Sequence, residues 1–136
     1  MEDNCLFCKI IKGEIPAHKV YEDAYSLAFL DIRPVNSGHT LVIPKLHSEN
    51  IYTLAKDTLH QLADTAQKVS IALKEIGAEG VNIIMNNDAS ADQVIFHAHL
   101  HLIPRFKGDG REPWHGTVAT KEKLEAKASD LKAKLV

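Results

Sequence analysis

Three histidines alternate with apolar residues in the stretch Phe96-His97-Ala98-His99-Leu100-His101-Leu102-Ile103-Pro104-Arg105. A period of two is typical of a β-strand, so it predicts a strand over 94–105 with the three imidazoles on one face. Side chains two residues apart on a strand lie roughly 6.6 to 6.8 Å from each other. This spacing suits groups that surround one phosphate-sized target or divide between two neighbouring sites. A strand that merely faces water would rarely use imidazole three times running.

The segments before the histidines predict further strands. Short apolar runs around a Glu22-Asp23 turn predict a hairpin, and two later runs predict two more strands. Polar, turn-rich residues from Asn86 to Gln93 then predict a loop that leads into the histidine strand. The four predicted strands cover Val20-Tyr21, Ala24–Leu30, His39–Pro44 and Val81–Met85.

Helical periodicity appears in three places. The clearest is an apolar stripe with three- and four-residue steps from Leu59 to Ile76, with Gly77 where a C-terminal cap is expected. A short helical turn is predicted in the CxxC segment 1–13, and an amphipathic helix with Thr120 as N-cap ends the chain after a loop in 107–136. Together these elements predict one α+β domain over 1–136, an antiparallel sheet packed against one long helix.

Composition narrows the class of protein. The 136 residues are 45% hydrophobic and 25% charged, which is ordinary for a globular domain, and the net charge of −2 offers no basic field for nucleic acid. No segment approaches the ~20 apolar residues that span a bilayer, and the start has no signal-peptide pattern. We therefore expect a cytoplasmic protein whose partners are neither nucleic acid nor membrane.

Cys5 and Cys8 form a Cys-x-x-Cys pair, which is half of a typical zinc site. Unpaired thiols and a redox pair are the alternatives, although a redox motif would need a preceding strand. Which histidines complete a zinc site does not follow from spacing. Eight are available: His18, His39, His47, His60, His97, His99, His101 and His115.

The histidine tract favours nucleophilic chemistry at phosphorus. A neutral imidazole can attack a phosphoryl group and form a covalent intermediate, while neighbouring imidazoles bind oxygens or donate a proton. Phosphate donors are available nearby in Asn86, Gln93 and the backbone amides around Asp92 to Val94. Chelation of a catalytic metal by the three histidines is the alternative.

The tract resembles the signature of the histidine triad (HIT) nucleotide-binding superfamily, in which three histidines alternate with apolar residues as in His97 to Ile103. The order and spacing of other blocks match the same family over nearly the whole chain up to about residue 107. The nearest branch is the Hint-like, or protein kinase C inhibitor-like, group with zinc. The matching blocks are Cys5-Leu6-Phe7-Cys8-Lys9-Ile10-Ile11, Phe29-Leu30-Asp31-Ile32 and Gly38-His39-Thr40-Leu41-Val42-Ile43-Pro44-Lys45.

The resemblance implies a HIT-like fold and a hydrolase or transferase. Its substrates would be purine nucleoside phosphoramidates or related nucleoside 5′-phosphate conjugates, attacked at the α-phosphate. By position in the motif, His99 would be the nucleophile that takes the nucleotidyl group. His101 would contact the phosphate and assist the leaving group, His39 would complete the catalytic cluster, and Asn86 would support it.

The resemblance also implies how the nucleotide and the metal bind. Asp31 would accept hydrogen bonds from the ribose hydroxyls, for which a carboxylate is suited. In zinc-bearing relatives the first triad histidine and the one after the Pro-Lys strand end join the cysteines. One structural zinc per chain would thus be held by Cys5, Cys8, His47 and His97. The implied apolar slot for the base consists of Leu6, Phe29, Leu30, Ile32 and Leu41.

One departure from the family pattern stands beside the triad. Many members have Gly-Gln-Ser where this chain has Asp92-Gln93-Val94. The family serine is expected to hydrogen-bond the leaving group, which valine cannot do. Valine here motivates one alternative, a non-catalytic purine-nucleotide-binding regulatory module, and the superfamily supplies a second, a dinucleoside polyphosphate hydrolase. The family also implies a homodimer through the long helix and a sheet edge, with the tail near Trp114 reaching the partner.

Overall fold

The sheet is antiparallel throughout and has five strands in the order β1-β2-β3-β5-β4. A computed structural model describes residues 2–135. The strands are β1 (Lys19–Glu22), β2 (Ser26–Leu30), β3 (Thr40–Pro44), β4 (Gly80–Ile84) and β5 (Leu100–Arg105). The helices are α1 (Leu6–Ile11), α2 (Lys56–Glu75) and α3 (Lys121–Lys134), with a 3-10 turn at Ala89–Ala91.

Helices cover the two faces of the sheet. On one face α2 packs Leu62, Ala66, Val69 and Leu73 against alternate residues of the central strands, such as Val42. On the other face α1 packs against the intervening residues, and this second core consists of Phe7, Ile10, Leu27, Phe29, Leu41 and Ile43. Because β2 and β3 are buried on both faces, their sequences are nearly continuous apolar runs.

Strand register places one triad histidine on the α1 face. Phe29 pairs with Leu41 across β2 and β3, and Leu41 pairs with His101 across β3 and β5. Directly opposed residues share a face of the sheet, so the His101 ring lies on the same side as Phe29 and the N-terminal helix. The predicted class, an antiparallel sheet with one long helix, is confirmed.

The predicted strand over 94–105 is wrong in its first half, because β5 begins only at Leu100. The amide of Ala98 donates to the carbonyl oxygen of Ser48 at 2.7 Å, outside any sheet ladder. The side chain of Gln93 donates to the carbonyl oxygens of Glu49 and Ile95. These bonds tie the segment to the chain after β3, so His97 and His99 lie outside the strand.

Several predicted boundaries shift by one or two residues. The strand predicted from Ala24 begins at Ser26, because the Asp23 carboxylate accepts from the amides of Tyr25 and Ser26 and forms the turn itself. The apolar stripe predicted to Ile76 leaves the core at its end: Ile76 is 82% exposed, and Gly77 follows with φ +117°. A left-handed glycine just after a helix is the expected stop signal.

The C-terminal helix forms as predicted, and Thr120 accepts from the amide of Lys123 at 3.3 Å as its N-cap. Its apolar residues do not pack into a core, since none of the residues of α3 is buried. Leu124 and Leu131 are both more than half exposed. Among residues 2–135, no helix combines the length and apolar character needed to cross a bilayer.

Candidate active site and metal centre

A cavity of about 600 Å³ opens between α1, the end of β2 and the loop that follows β4. It brings together most of the residues predicted to bind a nucleotide. The predicted residues that line it are Leu6, Phe29, Leu30, Asp31, Ile32, Leu41, Asn86, Asp92, Val94, His99 and His101. Gln93 and His39 do not line this cavity.

One end of the cavity is apolar. Phe7 stands edge-on to Phe29, with ring centroids 5.5 Å apart, and edge-on to His99 at 5.1 Å. Leu41 closes the floor and is 7% exposed, whereas Ile32 at the rim is 86% exposed. This end is an apolar slot, and the imidazole of His99 forms part of its wall.

Asp31 lies at the border between the apolar slot and the histidines. Its Oδ1 accepts from the amide of Arg33 at 2.8 Å, and its own amide donates to the carbonyl oxygen of His39 at 2.8 Å. Its Oδ2 lies 3.6 Å from Nε2 of His39. The carboxylate is thus held by the backbone while part of it faces the cavity, where it can accept from hydroxyl groups.

The proton position on His99 follows from its hydrogen bond. Nδ1 lies 2.7 Å from the carbonyl oxygen of His97, which can only accept, so Nδ1 carries the proton. Burial lowers the pKa of His99, so the ring is neutral near pH 7. Nε2 therefore has a free lone pair in a ring that lines the cavity, and it is available as a nucleophile.

The opposite proton arrangement holds for His39 and His101. The amide of Val35 donates to Nδ1 of His39 at 3.1 Å, so the proton of neutral His39 is on Nε2. That Nε2 lies 3.0 Å from Nδ1 of His101, which must then accept. Burial and the neighbouring His99 and His39 lower the pKa of His101 to about 4, so its ring is neutral and carries its proton on Nε2. A nucleophile and a proton donor thus share one cavity.

Asp31, His39 and His101 lie close enough together to hold a cation as well. A metal on Nε2 of His39 would move the ring proton to Nδ1, where it would oppose the Val35 amide, donor against donor. The hydrogen bonds therefore favour a proton relay here. The three triad histidines do not converge on one ion, because His97 points to the cysteines instead.

The loop after β4 forms the other wall and is held in a strained conformation. Asp88 has φ 73° and ψ 159°, a combination almost restricted to glycine, and Asp92 is left-handed with φ 64°. Gln93 is 3% exposed, and its Oε1 accepts from the amide of Asp88 at 2.8 Å. The Gln93 side chain therefore holds the loop in place. The side-chain Nδ2 of Asn86 also lies 3.5 Å from the carbonyl oxygen of Asp92.

A second cluster lies behind the triad and joins α1 to the end of β3. Nδ1 of His97 lies 3.3 Å from Sγ of Cys5, 3.6 Å from Sγ of Cys8 and 3.2 Å from Nδ1 of His47. Nδ1 of His47 is 3.4 Å from Sγ of Cys8. Nε2 of His97 donates to the carbonyl oxygen of Pro44 at 2.8 Å, which leaves the Nδ1 lone pair facing the thiols.

These four residues fit a zinc ion. Tetrahedral zinc with bonds of 2.3 Å to sulfur and about 2.05 Å to nitrogen separates sulfur from nitrogen by roughly 3.6 Å and two nitrogens by roughly 3.3 Å. The distances above match those values. Burial and the neighbouring His47 and His99 lower the pKa of His97 to about 4, so the ring is neutral and able to coordinate. The hydrogen bond to Pro44 is the outer contact that a ligating histidine usually makes.

Part of the cavity wall was not predicted from the sequence. The connection between α1 and β1 contributes to it, and the exposed side chain of His18 lies at its rim. Nothing in the local pattern of an Ile-Pro-Ala segment indicates a binding wall, because only the position of α1 on the sheet brings it there. The unpredicted lining residues are Phe7, Ile10, Ile15, Pro16, Ala17, His18, Arg33 and Ile95.

Comparisons with known proteins agree with this architecture. The HIT domain family model matches residues 12–108. A solved structure from Streptococcus mutans UA159 covers 100% of this chain and 88% of its own, with a TM-score of 0.94 and 40% identity. A zinc-bound histidine triad family protein from Mycobacterium smegmatis covers 96% of this chain and 97% of its own, with a TM-score of 0.78 and 37% identity.

A curated relative carries a named activity. The adenosine 5′-monophosphoramidase of Schizosaccharomyces pombe is 44% identical over 102 residues, which are 75% of this chain and 74% of the relative. The matched region of the family model extends from the end of α1 to the end of the sheet and includes the triad.

Proposed function

Because this chain belongs to the Hint-like branch of the histidine triad superfamily, we propose that it hydrolyses purine nucleoside phosphoramidates or related nucleoside 5′-phosphate conjugates. The observation that carries the proposal is which ring nitrogen carries the proton in His99 and in His101. His99 offers an unprotonated Nε2, and His101 carries its proton on Nε2. Attack needs a free lone pair on a neutral imidazole, and the leaving group needs an N–H donor close to it.

In the first step Nε2 of His99 attacks the α-phosphorus and forms a P–N bond. The bond between phosphorus and the leaving amine breaks, and its electron pair goes to the amine nitrogen. The amine nitrogen takes up a proton from solvent water while Nε2 of His101 donates a hydrogen bond to it, and His39 donates from its own Nε2 to the Nδ1 that faces it. Asp31, with Oδ2 3.6 Å from Nε2 of His39, favours the tautomer of His39 that carries its proton on Nε2.

In the second step water attacks the nucleotidyl-histidine. The P–N bond to His99 breaks, the nucleoside monophosphate leaves, and the proton of the attacking water passes to solvent. The ring of His99 keeps its Nδ1 proton on the His97 carbonyl throughout, so its lone pair is restored in the same place. The cycle needs no oxidant, reductant or second substrate other than water.

Nucleoside binding is assigned to the apolar end of the cavity. The edge of Phe7 and the faces of Phe29 and Leu41 would enclose a purine, and Asp31 would accept from the ribose hydroxyls. Backbone amides of the strained loop near Asp92 would hold phosphate oxygens. The side chain of Asn86 supports that loop, and Gln93 acts by holding its conformation.

One structural zinc per chain is assigned to Cys5, Cys8, His47 and His97. The interatomic distances that fit tetrahedral zinc support this, as does the zinc-bound relative from Mycobacterium smegmatis. The ion would connect α1 to His47, which follows β3, and to His97, whose carbonyl oxygen orients the ring of His99.

A homodimer is also proposed. β4 is one of the two outer strands of the sheet, and an open apolar groove runs between it and α2. Ile71 and Ile83 in this groove are each 53% exposed, which is a large apolar area for a free surface. A second copy would cover both the groove and the edge strand. The cytoplasmic location and the absence of nucleic-acid partners stay predictions from the sequence.

The test is hydrolysis of an adenosine phosphoramidate followed by release of the monophosphate. We expect His99→Ala to lower kcat by at least about 1,000-fold, and rapid base quench of the wild type to trap a nucleotide on the protein. Equal turnover by the two proteins would exclude this mechanism. Tight monophosphate binding without a trapped intermediate would instead favour the non-catalytic nucleotide-binding module. That alternative is suggested by Val94, which stands where many family members have serine.

A further inference from the structure

The proton relay depends on one backbone amide in the loop between β2 and β3. Val35 donates to Nδ1 of His39, and this bond, together with the Asp31 carboxylate 3.6 Å from Nε2, decides which nitrogen of His39 carries the proton. If Nδ1 were protonated instead, Nε2 of His39 would accept from His101. The proton of His101 would then sit on Nδ1, and its Nε2 could no longer donate a hydrogen bond to a leaving group.

The loop that carries Val35 is held by residues that follow β5. Nδ2 of Asn36 donates to the carbonyl oxygen of Pro104 at 2.9 Å and to Oδ2 of Asp109 at 3.0 Å. The guanidinium of Arg111 donates to the carbonyl oxygen of Val35 at 2.7 Å. The amide of His39 in turn donates to the carbonyl oxygen of Asn36 at 3.0 Å. The turn is therefore fixed on both sides of the amide that matters.

Asp109 is the centre of this support. Its carboxylate accepts from Nε and Nη2 of Arg105 at 2.8 and 3.0 Å and from the amides of Phe106 and Arg111 at 3.1 and 3.0 Å. The Arg105 guanidinium, which also donates to the carbonyl oxygen of Arg111 at 2.6 Å, holds the pKa of the Asp109 carboxyl well below its usual range. None of these groups lines the cavity, so their effect must pass through the turn.

We infer that Asn36, Asp109 and Arg111 are positioning residues for assistance to the leaving group, because they hold the Val35 amide on His39 and thereby keep a hydrogen-bond donor on Nε2 of His101. This inference rests on the proposed function and adds to it a group of residues outside the cavity. It assigns the segment after β5 a part in the reaction, although that segment contacts neither the nucleotide slot nor the nucleophile.

The sharpest test removes the donor itself. Val35→Pro deletes one N–H and adds no polar group, and the preceding residue is already a proline. Nitrogen-15 NMR distinguishes the protonated from the unprotonated ring nitrogen of a neutral histidine. We expect Nδ1 of His39 to gain proton occupancy in Val35→Pro, with Nε2 of His101 losing it, whereas the ring of His99 stays as it is.

Arg111→Gln provides a second variant that leaves the fold intact, since Arg111 is exposed. The matched variant Arg111→Lys keeps a cation that can reach the Val35 carbonyl, and Lys107→Gln is a control on the same loop. We expect the tautomer shift in the glutamine variant, restoration in the lysine variant and no change in the control. This pair of variants carries the test if Val35→Pro does not fold.

Kinetics with two leaving groups separates positioning from general loss of structure. An alkylamine leaving group needs a proton, whereas the nitrophenolate released from a nitrophenyl ester of the same nucleotide does not. We expect Val35→Pro to lower kcat for the amine by about 10-fold or more, with KM unchanged and the ester within about 3-fold. Equal losses on both substrates, or unchanged ring-nitrogen signals, would overturn the inference. Failure of the proposed function is a different result, because the wild type would then turn over neither substrate.

Discussion

The ring of His99 donates from Nδ1 to the carbonyl oxygen of His97, 2.7 Å away. This short bond joins two residues with different tasks, because the ring of His97 faces the cysteine cluster while its carbonyl sets the tautomer of the candidate nucleophile. The arrangement requires the chain to leave the strand conformation before Leu100. A regular strand would have directed the His97 carbonyl sideways to a neighbouring strand.

Loss of the metal should therefore affect both stability and turnover. We expect Cys8→Ser to abolish zinc binding and to lower the melting temperature by roughly 10 °C, which corresponds to about 3 kcal/mol for a chain of this size. The kcat should fall as well, since the His97 carbonyl loses its anchor. Elemental analysis and thermal unfolding give the answer, with the exposed His60→Ala as control. Zinc-free wild-type protein purified without chelator would contradict the assignment.

Burial should extend catalysis to mildly acidic pH. His99 acts as a nucleophile only when neutral, and burial lowers its pKa below the ordinary 6.5. The acid limb of the pH profile of kcat/KM should thus lie below pH 6.5. An acid limb above pH 7 would be inconsistent with this environment.

The lowered pKa of buried histidines should also make the protein less stable as the pH is lowered. His101 has a pKa of about 4 in the fold against 6.5 in the unfolded chain, so between these values the unfolded state binds more protons. The free energy of unfolding should decrease as pH falls from 6.5 toward 4 and should be unaffected by this group above 6.5. Urea unfolding at pH 5 and pH 7 measures the change, and His101→Gln should show a smaller one.

Sequence patterns predicted the sheet better than the histidine segment, and the reason is physical. The runs at Ser26–Leu30 and Thr40–Pro44 are buried on both faces, so their apolar character is unambiguous. The alternation at His97 to His101 has the period of a strand, yet β5 begins only at Leu100. The competing bonds come from Ser48 and Glu49, which are more than 40 residues away in the sequence.

The same limit applies to the site. Spacing alone did not select His47 and His97 as partners of the cysteines, and only the family resemblance implied them. The Val35 amide that fixes the proton of His39 leaves no signal in the sequence, because any residue except proline supplies it.

Asp31→Asn should weaken nucleotide binding through the ribose. The amide keeps the shape of the carboxylate but loses its charge and half of its acceptors, so we expect KM to rise about 10-fold. A 2′,3′-dideoxy substrate provides the control, because it lacks the hydroxyls and should bind equally to both proteins. If the variant loses as much on the dideoxy substrate as on the ribonucleotide, Asp31 does not act through the ribose.

Val94 should limit the rate with amine leaving groups. Its side chain is 85% exposed in the wall of the cavity and has no group that can bind a leaving amine. Val94→Thr keeps the shape and adds a hydroxyl, so we expect kcat to rise about 2- to 10-fold, the value of one neutral hydrogen bond. Val94→Ala changes the shape without adding a donor and should bring no gain. Equal rates for the two variants would mean that polarity at this position is unimportant.

The proposed dimer can be tested at the outer strand. Ile83 on β4 is 53% exposed beside the groove, and Val20 on β1, the opposite outer strand, is 50% exposed. A lysine at an interface centre must be desolvated without a partner, whereas on a free strand it stays hydrated. We therefore expect Ile83→Lys to reduce the mass in solution from twice the chain mass to 15.1 kDa, while Val20→Lys stays dimeric. Sedimentation equilibrium distinguishes these states. A monomeric wild type would exclude the dimer, and dissociation by both variants would mean that the edge of β4 is not the specific contact.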